Sequence, residues 1–123
     1  MSGSEDPSGY DEWRLLRVQA GERLLWLCVV NPDLWTYVYI PDSGRFHLNK
    51  GVFVDYVWDG ELTYVPIEVQ EARDLIAAKV GALRHEMTSS ERRRFLTDEQ
   101  LDVEVALAHI ERASRQREVK PWT

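Results

Sequence analysis

The sequence predicts one α+β domain, in which an antiparallel sheet precedes helices that pack on one of its faces. Short apolar segments separated by turn residues fill residues 13–65, and amphipathic helical periodicity begins after Pro66. The length of 123 residues suits a single domain, and 44% hydrophobic residues suit a globular core. We therefore expect residues 13–116 to fold together, between a disordered leader (1–12) and a frayed tail (117–123).

The N-terminal half predicts a meander of five to six strands. The segment RLLWLCVV is apolar at nearly every position, which is typical of a central strand covered on both faces. The sequences at 31–33 (Asn-Pro-Asp) and 41–44 (Pro-Asp-Ser-Gly) contain residues that favour turns. Farther along, RFHLN, VFVDYVW and ELTYV are separated by Lys-Gly and Asp-Gly, so we expect three further strands there.

The C-terminal half predicts two main helices, at about 67–87 and 98–115, with a short helix between them. Apolar residues recur there at steps of three and four, which is typical of a helix with one buried face. The sequences at 88–91 (Thr-Ser-Ser-Glu) and 97–100 (Thr-Asp-Glu-Gln) both fit a capping box, which starts a helix. Gly81 falls inside the first predicted helix, where it would cost about 1 kcal/mol relative to alanine.

The charge distribution argues against nucleic-acid binding. The net charge is −6, and residues 1–66 contain ten acidic and five basic residues. Proteins bind nucleic acids largely through contacts of Lys and Arg side chains with the phosphates. An acidic surface of this kind therefore favours a basic protein partner instead.

The sequence predicts a protein of the cytoplasm. We expect no signal peptide and no membrane span, because the N-terminal residues form no apolar segment and no apolar run reaches 18 residues. Its single cysteine, Cys28, excludes an internal disulfide and suits a reducing compartment. The twelve-to-three ratio of Arg to Lys is typical of a GC-rich bacterial or phage genome.

The segment GRFHLNKGVFVDYVWDG, residues 44–60, holds the candidates for catalysis. If residues 49–51 form a three-residue hairpin loop, Arg45 lies opposite Asp55 on the neighbouring strand, and His47 lies diagonal to Asp55. A carboxylate can orient and charge an imidazole, so these three residues are weak candidates for acid–base chemistry. The simpler interpretation is a structural ion pair beside a surface histidine.

The register of the second predicted hairpin stays open at this point. A two-residue turn at Asp59-Gly60 fits the turn chemistry and would place His47 on a partly covered face. A three-residue turn would instead keep Leu62 and Tyr64 on the apolar face.

Aromatic residues are the candidates for binding. Trp35, Tyr37 and Tyr39 alternate along one predicted strand, and Tyr56 and Trp58 lie on another. Such residues pack in a core, or they form an exposed surface for a protein partner, a second copy of the chain or a ligand.

Three successive arginines, Arg92, Arg93 and Arg94, are candidates for contact with an anion or an acidic partner. The simpler interpretation is a solvated helix face.

These observations predict a non-enzymatic protein-binding module, such as an inhibitor, an immunity or antitoxin-like protein, a phage accessory protein or an adaptor. One alternative is a small hydrolase or nuclease-like enzyme centred on His47 and Asp55. Another is a small-ligand binder, which requires an apolar pocket lined by Trp and Tyr. We expect no cofactor, and no metal site, because the three histidines lie on different predicted elements.

Overall fold

Six antiparallel strands form the centre of the molecule in a computed structural model, which describes residues 12–118 and their side chains up to residue 115. The strands are β1 (Arg14–Ala20), β2 (Arg23–Val30), β3 (Thr36–Ile40), β4 (Arg45–Leu48), β5 (Thr63–Pro66) and β6 (Gln100–Leu101). Their order across the sheet is β5-β1-β2-β3-β4-β6. The predicted α+β fold is confirmed.

In the described part of the chain, four helices accompany the sheet: α1 (Lys50–Val54), α2 (Val69–Ala77), α3 (Ser89–Phe95) and α4 (Val103–Glu118). A π-helical turn, Asp55–Asp59, follows α1 directly. Within residues 12–118, no helix combines the length and the apolar character that a membrane span requires.

The predicted ends of the domain are only partly covered by the structure. Of the predicted leader, residues 1–11 lie outside the described residues. At the other end α4 continues to Glu118, past the predicted boundary at 116, and residues 119–123 of the predicted tail lie outside the described residues.

Alternate residues of the strands form two apolar clusters, one on each face of the sheet. On the first face, which we call the α2–α4 face, Leu27, Tyr39 and Phe46 pack with Ala72 of α2 and Leu107 of α4. The two longest helices therefore cover this face of the sheet.

The second cluster lies on the opposite face, which we call the α1–α3 face. Cys28, Val38 and Ile40 of the sheet pack there with Val52 of α1, and the partly buried Phe95 of α3 packs against them. The prediction that all helices share one face is therefore wrong. The two main helices do share a face, but α1 and α3 cover the other one.

The segment 52–58, predicted as a strand, is helical instead. The side chain of Asn49 accepts the N–H of Val52 and caps the start of α1. The Asp55–Asp59 turn ends at Gly60, whose φ of 65° is left-handed and suits glycine. Because Asn49 and Gly60 act as helix ends rather than as hairpin loops, neither predicted hairpin forms.

The first predicted helix, 67–87, ends ten residues early at Ala77. Lys79 and Gly81 both have left-handed backbone angles, which stop the helix. A Cβ added to Gly81 would lie 3.1 Å from the carbonyl oxygen of Tyr39, so the chain turns closely against β3. Beyond this turn, Leu83 packs on the α1–α3 face. The helix therefore stops where the chain passes from one face of the sheet to the other.

The two predicted capping boxes have different outcomes. Thr88 and Glu91 form a complete box at the start of α3. The prediction of a second capping box at 97–100 is wrong, because Gln100 and the residue after it pair with β4 as strand β6. The last helix starts at Val103 instead, where the Asp102 side chain accepts the N–H groups of the first turn.

Candidate functional site

A cavity of about 910 Å³ opens on the α1–α3 face. Its apolar lining comes from the sheet, from α1, from the loop before β5 and from the region of α3. These residues are Trp26, Leu48, Val52, Leu62, Met87 and Phe95. The cavity therefore exposes part of the second apolar cluster to solvent.

The cavity exists because short helices cover the α1–α3 face incompletely. Helix α1 has five residues and α3 has seven, whereas α4 on the opposite face has sixteen. The rings of Trp26 and Phe95 contact each other with centroids 6.2 Å apart, and both remain partly exposed. The two aromatic side chains therefore form a wall of the cavity instead of filling it.

Asp55 lines the cavity and fixes the shape of its loop wall. Its carboxylate accepts the N–H groups of Glu61 and Leu62, at 3.0 and 3.1 Å, and the hydroxyl of Tyr64 at 2.6 Å. Burial raises the pKa of Asp55, but these three hydrogen bonds outweigh it and hold the pKa below its ordinary value. Asp55 is therefore an ionised group whose oxygens are already occupied.

His47 is a structural residue of β4 and not a partner of Asp55. It is only 2% exposed. Its Nδ1 lies 2.8 Å from the carbonyl oxygen of Thr97 and its Nε2 lies 2.6 Å from Ser43 Oγ. Because a carbonyl only accepts, Nδ1 donates to Thr97, and in the neutral ring Nε2 is then the acceptor that faces Ser43 Oγ. The predicted His47–Asp55 pair does not form.

Arg45 also differs from its predicted role. Its neighbour across the strands is Ile40, and its guanidinium lies 3.6 Å from the carboxylate of Asp102. The predicted contact with Asp55 is wrong because it depended on a hairpin that does not exist. The three catalytic candidates are thus separated, and only Asp55 reaches the cavity. Within residues 12–118, no group of three His, Cys, Asp or Glu side chains could hold a metal ion.

The aromatic residues of β3 belong to the core. Tyr37 and Tyr39 are buried in the cluster of the α2–α4 face, and the ring of Tyr39 makes an edge contact with Phe46. They do not form an exposed surface, so the core interpretation is the correct one for these two residues.

The other three aromatic candidates lie near the surface of α1 and the π-helical turn. Trp58 is 76% exposed, and Trp35 is 41% exposed with its ring 5.0 Å from the ring of Phe53. Tyr56 is partly buried, and its hydroxyl accepts Arg14 Nη1 at 2.6 Å. Two of the five predicted binding residues are therefore accessible tryptophans outside the cavity lining.

The arginine triplet divides into three different environments. Arg92 lies 3.5 Å from the carboxylate of Asp42 and donates to the carbonyl of Arg84. Arg93 is exposed, and Arg94 lines the cavity. Of the three arginines predicted to contact an anion, Arg94 therefore lines the cavity.

Most of the cavity was not anticipated from the sequence. Trp26, Leu62 and Phe95 lie on three separate elements, and each fits an ordinary apolar pattern in its own segment. The one available signal was the excess of aromatic residues, and it did not distinguish Trp26 from the buried tyrosines.

A scan against protein-family models gave no match, and searches of curated proteins and of solved structures gave no significant match. The geometry and chemistry of the described residues therefore carry the functional argument.

Proposed function

We propose that this protein binds a small, largely apolar ligand in the cavity between α1 and α3. The observation that carries this proposal is the cavity's volume of about 910 Å³ together with its apolar and aromatic lining. Small-molecule sites are typically clefts of roughly 300–1,000 Å³ with such a lining and a few polar groups.

The expected driving force is the burial of exposed apolar surface. Trp26, Leu62 and Phe95 are all partly exposed at the cavity. A ligand that removes about 200 Å² of apolar surface from water gains about 5 kcal/mol, before the cost of association is subtracted. A micromolar complex needs a net gain of roughly 8 kcal/mol, so the apolar contacts alone support weak binding and polar contacts must add to them.

A fluorescence titration with a neutral apolar probe, N-phenyl-1-naphthylamine, tests this function. We expect saturable binding by the wild type, and we expect Leu62→Trp to weaken it about tenfold because the larger ring occupies part of the cavity and covers its apolar wall. The matched control is Leu24→Trp, at an exposed leucine outside the cavity lining.

The proposal fails if the wild type gives no saturable signal. It also fails if both tryptophan variants bind the probe as the wild type does while remaining folded by circular dichroism.

The exposed tryptophans favour a second candidate function, the docking of a basic protein partner. Val54 and Trp58 lie four residues apart along a continuous helical segment, so they share a face, and both are exposed. Trp35 adjoins this segment through Phe53. The neighbouring Asp59 adds negative charge, which suits a basic surface on the partner.

This second function is tested by capture of partners on the immobilised protein at low and high salt. We expect a basic protein to bind the wild type, and a Trp35→Ala, Trp58→Ala double variant to lose more than about 1 kcal/mol of binding free energy. Leu24→Ala is the control. Equal recovery on the double variant and the wild type would eliminate this surface, and concentration-dependent sedimentation of the protein alone would replace the partner with a second copy of the chain.

A further inference from the structure

We infer that the ligand of the cavity is an amphipathic cation, and that its ammonium group binds at the loop wall formed by Asp55 and Glu61. This inference rests on the proposed function, since it names the chemistry of a ligand in the same cavity. The ligand class is an alkylammonium compound, which carries one positive charge at the end of an apolar tail.

The ionisable side chains that line the cavity are mostly acidic. Four acidic and two basic side chains give the lining a formal charge of −2; they are Asp55, Glu61, Glu91 and Glu99 against Lys50 and Arg94. The whole protein has the same sign, with a net charge of −6. Because opposite charges attract, a negative site in a negative protein favours a cationic ligand over an anionic one.

The excess of negative charge lies at the loop wall. Asp55 and Glu61 are neighbours there, because the carboxylate of Asp55 accepts the backbone N–H of Glu61 at 3.0 Å. The segment DYVWDGEL, residues 55–62, contains three acidic residues and no basic one. On α3, in contrast, Glu91 and Arg94 lie three residues apart, so they are neighbours on the helix surface and their charges offset each other. Lys50 begins α1, about 7.5 Å along the helix from Asp55.

Asp55 keeps its negative charge at neutral pH. Burial raises the pKa of Asp55, but its three hydrogen bonds hold the pKa below its ordinary value. The donors are two backbone N–H groups and a tyrosine hydroxyl, which are neutral, so they orient the carboxylate without cancelling its charge. Glu61 is exposed beside it, and the loop uses the backbone N–H of Glu61 rather than its carboxylate. Asp55 therefore adds attraction at short range, and the carboxylate of Glu61 contacts the ammonium group.

The rest of the lining offers apolar surface for the tail of such a ligand. Leu62 follows Glu61 in the chain, lines the cavity and packs against the second cluster. Trp26 and Phe95 form an aromatic wall, with ring centroids 6.2 Å apart. The faces of aromatic rings attract cations as well as apolar groups, so this wall does not oppose a positive charge. A ligand with one positive end and an apolar tail therefore matches both parts of the lining.

Displacement of N-phenyl-1-naphthylamine by three ligands with the same tail tests the charge preference. The ligands are decyltrimethylammonium, decanol and decanoate, each used below the concentration at which it forms micelles. We expect decyltrimethylammonium to bind the wild type about fivefold more tightly than decanol, and decanoate to bind most weakly, because the loop wall attracts only the cation. Added sodium chloride should reduce the preference for the cation, since salt screens the attraction between charges.

Two variants locate the charged contact. Glu61→Gln removes one carboxylate of the loop wall and keeps the backbone N–H that Asp55 accepts. We expect it to weaken decyltrimethylammonium binding about threefold and to leave decanol binding unchanged. Glu22→Gln is the matched control, since it makes the same change at an exposed glutamate outside the cavity lining. It is expected to change neither affinity.

The two proposals fail in different ways. If the probe and decanol bind but decyltrimethylammonium binds no more tightly than decanol, or if decanoate binds most tightly, the inferred cation is overturned and the apolar site remains. Equal effects of Glu61→Gln and Glu22→Gln on decyltrimethylammonium binding overturn the contact at the loop wall. If the probe itself does not bind, the proposed function is overturned.

Discussion

Two polar residues of the 44–60 segment, His47 and Asp55, are each satisfied by specific partners, and this determines what they can do. His47 connects the turn at Ser43 to the carbonyl of Thr97. Asp55 holds the loop at Glu61 and Leu62. Each side chain stabilises the segments that it joins, because a buried or partly buried polar group is costly unless its hydrogen bonds are made.

At this scale we predict that His47→Ala destabilises the protein by about 2–4 kcal/mol, from two lost hydrogen bonds and the space left in a packed site. Urea unfolding followed by circular dichroism measures the change. His85→Ala, at an exposed histidine, should stay within about 0.5 kcal/mol of the wild type. Equal stability of the two variants would show that His47 does not connect these segments.

The helices and strands show which parts of the fold local sequence determines. Strands β1 to β4 and the capping box at Thr88 were predictable, because apolar alternation, turn residues and caps all act within a few residues. The segment 52–58 was not, since valine, tyrosine and tryptophan favour strands. Its helical form depends on Asn49 as a cap and on the contacts that Asp55 makes six to nine residues away.

The early end of α2 has a different cause, which is tertiary. The three- and four-residue periodicity continues past Ala77, but Leu75 packs on the α2–α4 face and Leu83 on the α1–α3 face. One straight helix cannot contact both faces of a sheet. Periodicity in the sequence shows which residues form an apolar helix face, but it does not show against which face of the sheet those residues pack.

At the scale of the whole molecule, the two faces of the sheet are covered unequally. Helices α2 and α4 close one face, whereas the short helices α1 and α3 leave the cavity on the other. Such a cavity depends on how the helices pack against the sheet, and not on the pattern within any one helix or strand. The sequence therefore indicated a ligand binder only as an alternative, and it could not locate the lining.

The central claim is that ligands bind in the cavity between α1 and α3, and the most direct test is a two-dimensional ¹H–¹⁵N NMR titration of the protein with the neutral probe N-phenyl-1-naphthylamine. The account predicts amide shifts concentrated at Gly51, Leu62 and Phe95, on the three segments that line the cavity. Shifts centred on Trp35 and Trp58, or no saturable shifts at all, would contradict it.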